Sequence, residues 1–481
     1  MMEIPGKAND CAAAPGAGGK LDNGQPPVAA GGANSETTTA LPQPAGSIGR
    51  DHNRERSLEI GPARAADPFF SGRKHFPELD GLRGTAIVLV LICHYSFWIA
   101  PPDWLVAILK LISFQGWIGV NLFFVLSGFL ITGILLDSKG QQCYFRNFYF
   151  RRTLRIFPLY YGVLLSALAV LLAMRARLPN FYASDHHARA LLAAMPWFFT
   201  YTTNIGEALL NLNASYFNHF WSLAVEEQFY LVWPMMVFAL PARRLFTLCI
   251  GLAAAALACR IGMTLAGFSS GSIYLFTPCQ LDPLAAGAAV AVILRDRELA
   301  EKIGRLMPWA AWILLVAVGA VLVGGPALGL LSEALPRQVI GYGNPARGLA
   351  VIVWPNVWEL NFFDTLVALA FAFGLLQVIS QPGGLLRRLL MWHPLRIAGT
   401  YSYGLYVYHY IVLALAEAAV YRLPWLGRLI GHSLAASLAF IVANAAVSFA
   451  IAFASYHLYE KHFLKLKKYF PERATAAANS R

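Results

Sequence analysis

The sequence predicts an all-α, polytopic membrane helix bundle of about ten transmembrane helices, with both termini cytoplasmic. Three observations carry this. Of the 481 residues, 57% are hydrophobic and only 13% charged, and the mean hydropathy is +0.52, far from an average soluble composition. Apolar windows near the roughly 18–20 residues that cross a bilayer recur along the chain. Basic residues punctuate them, where a membrane barrel would alternate polar and apolar positions.

Residues 1–72 are rich in Ala, Gly and Pro, and they lack both a hydrophobic period and the apolar run of a signal peptide, so they read as a disordered cytoplasmic tail. Spans are then expected at about 83–100, 117–137, 156–174, 227–240, 245–266, 274–294, 308–323, 361–379, 401–421 and 433–456. They make 73–460 one membrane domain and leave 461–481 as a basic cytoplasmic tail. The stretch "LLAAMPWFFTYTT" at 191–203 is expected to lie at the interface. The inner loops 138–155, 241–244, 295–307 and 380–400 hold 14 Lys and Arg, whereas outer loops more than twice as long in sum hold 8. This positive-inside asymmetry accounts for the formal net charge of +12, so nucleic acid is not an expected partner. The six cysteines are scattered without metal-ligand spacing, and no metal is expected.

Within the first span, "GLRGTAIVLVLICHYS" sets Arg83 and His94 eleven residues apart. At about 100° per residue that is three turns and roughly 20°, so both lie on one helix face, about 16 Å apart along the axis. Intramembrane ionisable groups are costly and tend to line pathways. Asp80 either orients Arg83 or caps the helix. The basic, aromatic run "FRNFYFRRTLRIFPLYY" at 145–161 places Arg152 and Arg155 on one helical face, a pattern suited to phosphate groups and a stacked base. In "NHFWSLAVEEQFYLVWP" two adjacent glutamates point about 100° apart, so one is expected inside, and Glu226 is the one assigned there. Trp221 forms either an aromatic wall for a sugar or part of the interfacial belt. Arg260 and Asp282 flank a short connection at matching depth and are read as a buried ion pair, structural or beside a reaction chamber. His409 in "YSYGLYVYHY" either packs through hydrogen bonds or lines a tunnel.

As a set, "PELDGLRGTAIVLVLICHYS", "GVNLFFVLSGFLIT", "RRTLRIFPLYY", "NHFWSLAVEEQFYLVWP", "LDPLAAGAAVA" and "GTYSYGLYVYHY" resemble, in order, the signature blocks of the membrane acyltransferase-3 family over residues 76–460. The resemblance implies a ten-helix core in a bacterial inner membrane. It implies O-acyl transfer, commonly of acetyl, from cytoplasmic acetyl-CoA to a hydroxyl of an extracytoplasmic glycan, lipopolysaccharide or other envelope acceptor. It also implies that Arg83 and His94 serve donor use and catalysis, that Arg152 and Arg155 hold the donor, and that Glu226 orients His94 or holds the acceptor. A neutral imidazole can take a hydroxyl proton or carry the acyl group itself, and both roles stay open. Two alternatives remain: an acyl carrier serving a separate transferase, and a polytopic transporter.

Overall fold

The structure is a computed structural model that describes residues 76–96, 115–213, 215–305, 357–380 and 384–471, with a few isolated positions besides. The expected tail 1–72, and, isolated positions aside, the expected span 308–323 and outer loop 324–360, lie outside the described residues. The helices that frame the site are α1 Pro77–Tyr95, α2 Ile118–Ser138, α3 Tyr144–Arg177, α4 His186–Phe199, α5 Thr203–Leu210, α6 Trp221–Ala239, α7 Ala242–Leu265, α8 Leu281–Ile293, α9 Val357–Ser380, α10 His393–Thr400, α11 Ser402–Arg422 and α12 Leu434–Ser455. Val339–Ile340 pairs antiparallel with Ile352–Val353, the one β ladder among the described residues.

Among the described residues six helices are long and apolar enough to cross a membrane, or seven if Thr277–Ile293 and Arg297–Arg305, bent by 113° to each other, count as one span. The protein is thus a multi-pass membrane protein. The helices α1 and α6, both expected as spans, are 19 residues long but less apolar. Glu78, Asp80 and Arg83 account for this in α1, and Glu226 and Glu227 in α6. The expected inner loop 138–155 shrinks to a tight turn at Gly140 and Cys143, both at positive φ, so that α3 starts at Tyr144 and runs for 34 residues. At about 51 Å, α3 exceeds the hydrocarbon thickness of about 30 Å. Its projecting first turns pack against the chain beyond α12: Arg151 donates to the Lys467 and Phe470 carbonyls, and Phe150 stacks on Phe470 with centroids 4.7 Å apart. By contrast α4, 14 residues long, rises only about 21 Å and is too short to span. Its N-terminus is capped by the Asp185 side chain, which accepts from the Ala188 amide at 3.0 Å.

Two helix crossings are closed by glycine. A Cβ on Gly128 or Gly287 would lie 1.9 Å from the Leu284 or Val125 carbonyl oxygen, so α2 and α8 pack backbone to backbone. The same holds where α1 meets α10: a Cβ on Gly84 or Gly399 would lie 1.8 Å from the Leu395 or Asp80 carbonyl oxygen. A methyl group there must push two helices apart. Gly287→Ala is therefore expected to cost at least the roughly 1–3 kcal/mol typical of overpacking. Thermal unfolding in detergent checks this, with Gly251→Ala, whose Cβ would meet nothing within 4 Å, as the neutral control.

Candidate active site

On α1 the two expected stations are separated as the helix geometry requires. Asp80 is not the helix cap, since the cap position is Phe76 and Asp80 lies within the first turns. It instead pairs with Arg83 Nη1 at 3.0 Å, because positions three apart share a face. At the other end of α1, His94 meets two further histidines. His94 Nδ1 and His409 Nε2 are 3.1 Å apart, and His219, from the turn Ser215–Phe220, lies 5.0 Å from His409 by ring centroids. Tyr410 completes the cluster, stacked on His219 and edge-on to His94.

The hydrogen bonds fix the tautomers. His409 Nδ1 lies 2.7 Å from the Tyr406 carbonyl oxygen, which can only accept, so this nitrogen carries the proton. In a neutral ring His409 Nε2 is then a lone pair, and the His94 nitrogen facing it, Nδ1, must donate. That leaves the lone pair of His94 on Nε2. His219 Nε2 likewise faces a carbonyl, that of Val407, at 3.3 Å. The position facing His94 Nδ1 is thus taken by His409.

Glu226 instead shares a cavity of about 830 Å³ with Arg83, Arg152 and Arg155. The three arginines that the family resemblance assigns to the donor are brought together there. Tyr230 organises its floor: its hydroxyl donates to Glu226 Oε2 at 2.9 Å, its oxygen bonds Ser127, and the Arg152 guanidinium lies 4.5 Å over its ring. Glu227 lines the same cavity, which corrects the expectation that only one of the two glutamates faces inward. The cause is that the first half of α6 is enclosed by neighbours. Its exposed apolar residues, Leu231, Val232, Met235 and Phe238, begin only after Tyr230. At the other end of the cavity Ser222 and Tyr406 hydroxyls meet at 2.5 Å, and Tyr406 also donates to the His219 carbonyl at 2.8 Å. The cavity thus ends one hydrogen bond short of the histidine cluster.

Two other expected residues belong elsewhere. Trp221 is buried within the bundle against Phe124 and Tyr274. Arg260 and Asp282 form the expected ion pair, bidentate at 2.9 and 3.0 Å and fully buried. The guanidinium also donates to the Asn361 and Cys279 carbonyls and to Thr365, whose hydroxyl in turn donates to Asp282. So saturated a network has no donor left for a ligand, and neither residue lines the cavity. Residues not singled out in the sequence are His219, Ser222, Tyr230 and Tyr406; all four fall inside the quoted motif blocks, and that was their only signal. Among the described residues no group of three or more His, Cys, Asp or Glu is arranged to hold a metal.

A family model described as an acyltransferase domain matches residues 76–457, the stretch that contains the arginine cavity and the histidine cluster. The chain belongs to this acyltransferase family. Among its relatives are the peptidoglycan O-acetyltransferase OatA of Listeria monocytogenes, 27% identical over 71% of this chain and 50% of the relative, and the putative peptidoglycan O-acetyltransferase YrhL of Bacillus subtilis, 27% identical over 71% and 49%. The O-acetyltransferase OatA of Staphylococcus aureus is 24% identical over 72% of this chain and 52% of its own. The chain thus spans about half the length of the curated relatives it matches. No solved structure matches it.

The fold separates a scaffold pair from the groups around the cavity. Asp282→Asn is expected to lower stability by about 3–5 kcal/mol, because it strands a buried guanidinium. Thermal unfolding checks this.

Proposed function

We propose that this acyltransferase moves an acyl group, acetyl in the first instance, from cytoplasmic acyl-CoA to a hydroxyl of a cell-envelope glycan. The observation that carries the reading is the unprotonated His94 Nε2, held by His409, on the same helix as the Arg83 end of the arginine cavity. The printed names of the relatives favour a peptidoglycan acceptor. The proposed setting is a bacterial inner membrane with ten spans over residues 73–460. A tail, 1–72, precedes them, a basic segment, 461–481, follows, and both termini are cytoplasmic.

In the proposed reaction Arg83, Arg152 and Arg155 hold the donor's phosphate end, and the roughly 16 Å from Arg83 to His94 matches an extended pantetheine arm. His94 Nε2 takes the proton of the acceptor hydroxyl as its oxygen attacks the thioester carbonyl. The carbon–sulfur bond breaks, the ester forms, and His94 returns the proton to the departing thiolate. His409 is a positioning residue that keeps the Nδ1–H tautomer. The same lone pair could attack the thioester directly; labelled acetyl found on His94 after acid quenching would assign it that role instead.

Purified full-length protein given labelled acetyl-CoA and a glycan acceptor tests this by ester formation. His94→Ala should abolish transfer with donor Kd unchanged, and transfer retained by a folded His94→Ala protein overturns the assignment. His409→Phe, which cannot accept from His94 Nδ1, should lower kcat by about 10²–10⁴-fold. His409→Gln, which restores an acceptor, should recover part of that loss. Arg152→Ala should act on donor Kd, weakening it by about tenfold. A transporter would move label without forming an ester, and a carrier would label only itself.

A further inference from the structure

The Arg260–Asp282 pair leaves a second carboxylate beside it unmatched. Every N–H of the Arg260 guanidinium is spent, on the Asn361 and Cys279 carbonyls, on Thr365 and on both oxygens of Asp282, so the pair is neutral and closed. Asp364 stands one residue before Thr365 on α9 and is only 1% exposed. Its Oδ1 accepts from Asn121 Nδ2, a neutral donor, at 3.3 Å, and its Oδ2 makes no hydrogen bond. Among the described residues no Lys, Arg or His forms an ion pair with it. A carboxylate buried in a membrane bundle without a counter-charge is very costly. A positive charge must therefore reach it, as a proton or as a cation.

Two further oxygens decide between these. An ionised carboxylate only accepts, so the Asn121 amide that donates to Asp364 keeps its Oδ1 free. Asn361 is fixed in the same way: its Nδ2 donates at 2.7 Å to Thr264 Oγ1, whose own hydrogen goes to the Arg260 carbonyl at 2.8 Å. Both amide oxygens are buried and make no hydrogen bond. Asn361 and Asp364, three apart, share a face of α9, which meets α2 at Asn121 and α7 at Thr264. A proton on Asp364 Oδ2 could serve one amide oxygen and would leave the other orphaned. A single cation can take lone pairs from all three.

The donor set and the charge define the class of ion. Carboxylate and amide oxygens are hard donors, unlike the thiolates and imidazoles that select Cu(I) or Zn²⁺. One unmatched negative charge calls for one positive charge, whereas Ca²⁺ or Mg²⁺ would overcompensate it and demand six or more oxygens. We propose that Asn121, Asn361 and Asp364 bind one hard monovalent cation of the sodium class, which ties α9 to α2 beside the Arg260–Asp282 pair. A site of one carboxylate and two amides has no Cys or His spacing to betray it in the sequence. From Asn121 the helix α2 runs on to Phe123, Phe124 and Ser127 in the wall of the arginine cavity, so the ion steadies a helix of the active site.

The test is thermal unfolding of the purified full-length protein in detergent, in sodium chloride against choline chloride at one ionic strength. Sodium should raise Tm by about 2 °C for each tenfold increase in concentration above Kd, and choline should not. Asp364→Asn, which removes the charge and keeps the shape, should abolish the difference. Asn121→Ala should move the sodium concentration at which Tm begins to rise about tenfold higher. Glu301→Gln, at an exposed carboxylate, should leave the parent response intact. Equal curves in sodium and choline overturn the proposal. So does a Tm that rises as pH falls and ignores sodium, because a proton then meets the charge. A sodium response that survives in Asp364→Asn overturns it as well; should that variant fail to fold, an onset unmoved in Asn121→Ala does the same.

Discussion

The backbone clamp on α1 is the constraint from which the rest of the site follows. Gly84 of α1 and Gly399 of α10 each let a carbonyl of the facing helix come closer than any side chain would allow, and Gly116 and Gly119 do the same on the side of α2 against the Leu89 and Ala86 carbonyls. Lipid offers no hydrophobic drive for helices to associate, so close van der Waals and Cα–H contact must supply it. Held on two sides, α1 can neither slide nor turn, and Arg83 and His94 inherit that rigidity. In the proposed reaction a positioning error of an ångström between Arg83 and the imidazole of His94 would be felt in the rate.

Burial of charge sets the second condition. Two sets of ionic groups inside the bundle are dealt with in opposite ways. Arg260 and Asp282 are matched bond for bond and closed off, whereas Arg83, Arg152, Arg155, Glu226 and Glu227 line a recess that keeps them solvated or ligand-bound. The difference separates scaffold from site more sharply than residue type does, since both sets contain arginine and carboxylate.

How far the sequence could be read follows from the range of each relation. The Arg83–His94 pairing was legible because it rests on one helix and its 3.6-residue period. The bidentate Arg260–Asp282 pair was legible from depth counting on two neighbouring helices. His219 was not, because it lies in a turn before α6 and meets His409 across 190 positions of sequence. The error over Glu227 has a plain cause: a helical-wheel argument assumes one face in lipid, and the first half of α6 has none. The start of α3 at Tyr144 escaped notice because a basic, aromatic run reads as a loop by charge alone, while the tight turn before it leaves room for helix at once.

That His94 is oriented by a neutral partner constrains the chemistry proposed for it. A carboxylate in the place of His409 would steady an imidazolium, but it would add a charge to be desolvated within the bundle. A second imidazole fixes the tautomer at no such cost, and the Tyr406 carbonyl fixes that imidazole in turn. The consequence is that, among the described residues, the ring of His94 is faced by His409 and Tyr410 and not by a carboxylate. In the proposed reaction the negative charge developing on the thioester oxygen would then be the one that steadies the imidazolium, so proton transfer and bond formation would stabilise each other. A water molecule gains less from this arrangement than a hydroxyl held by its own glycan, since the timing depends on an acceptor fixed in place.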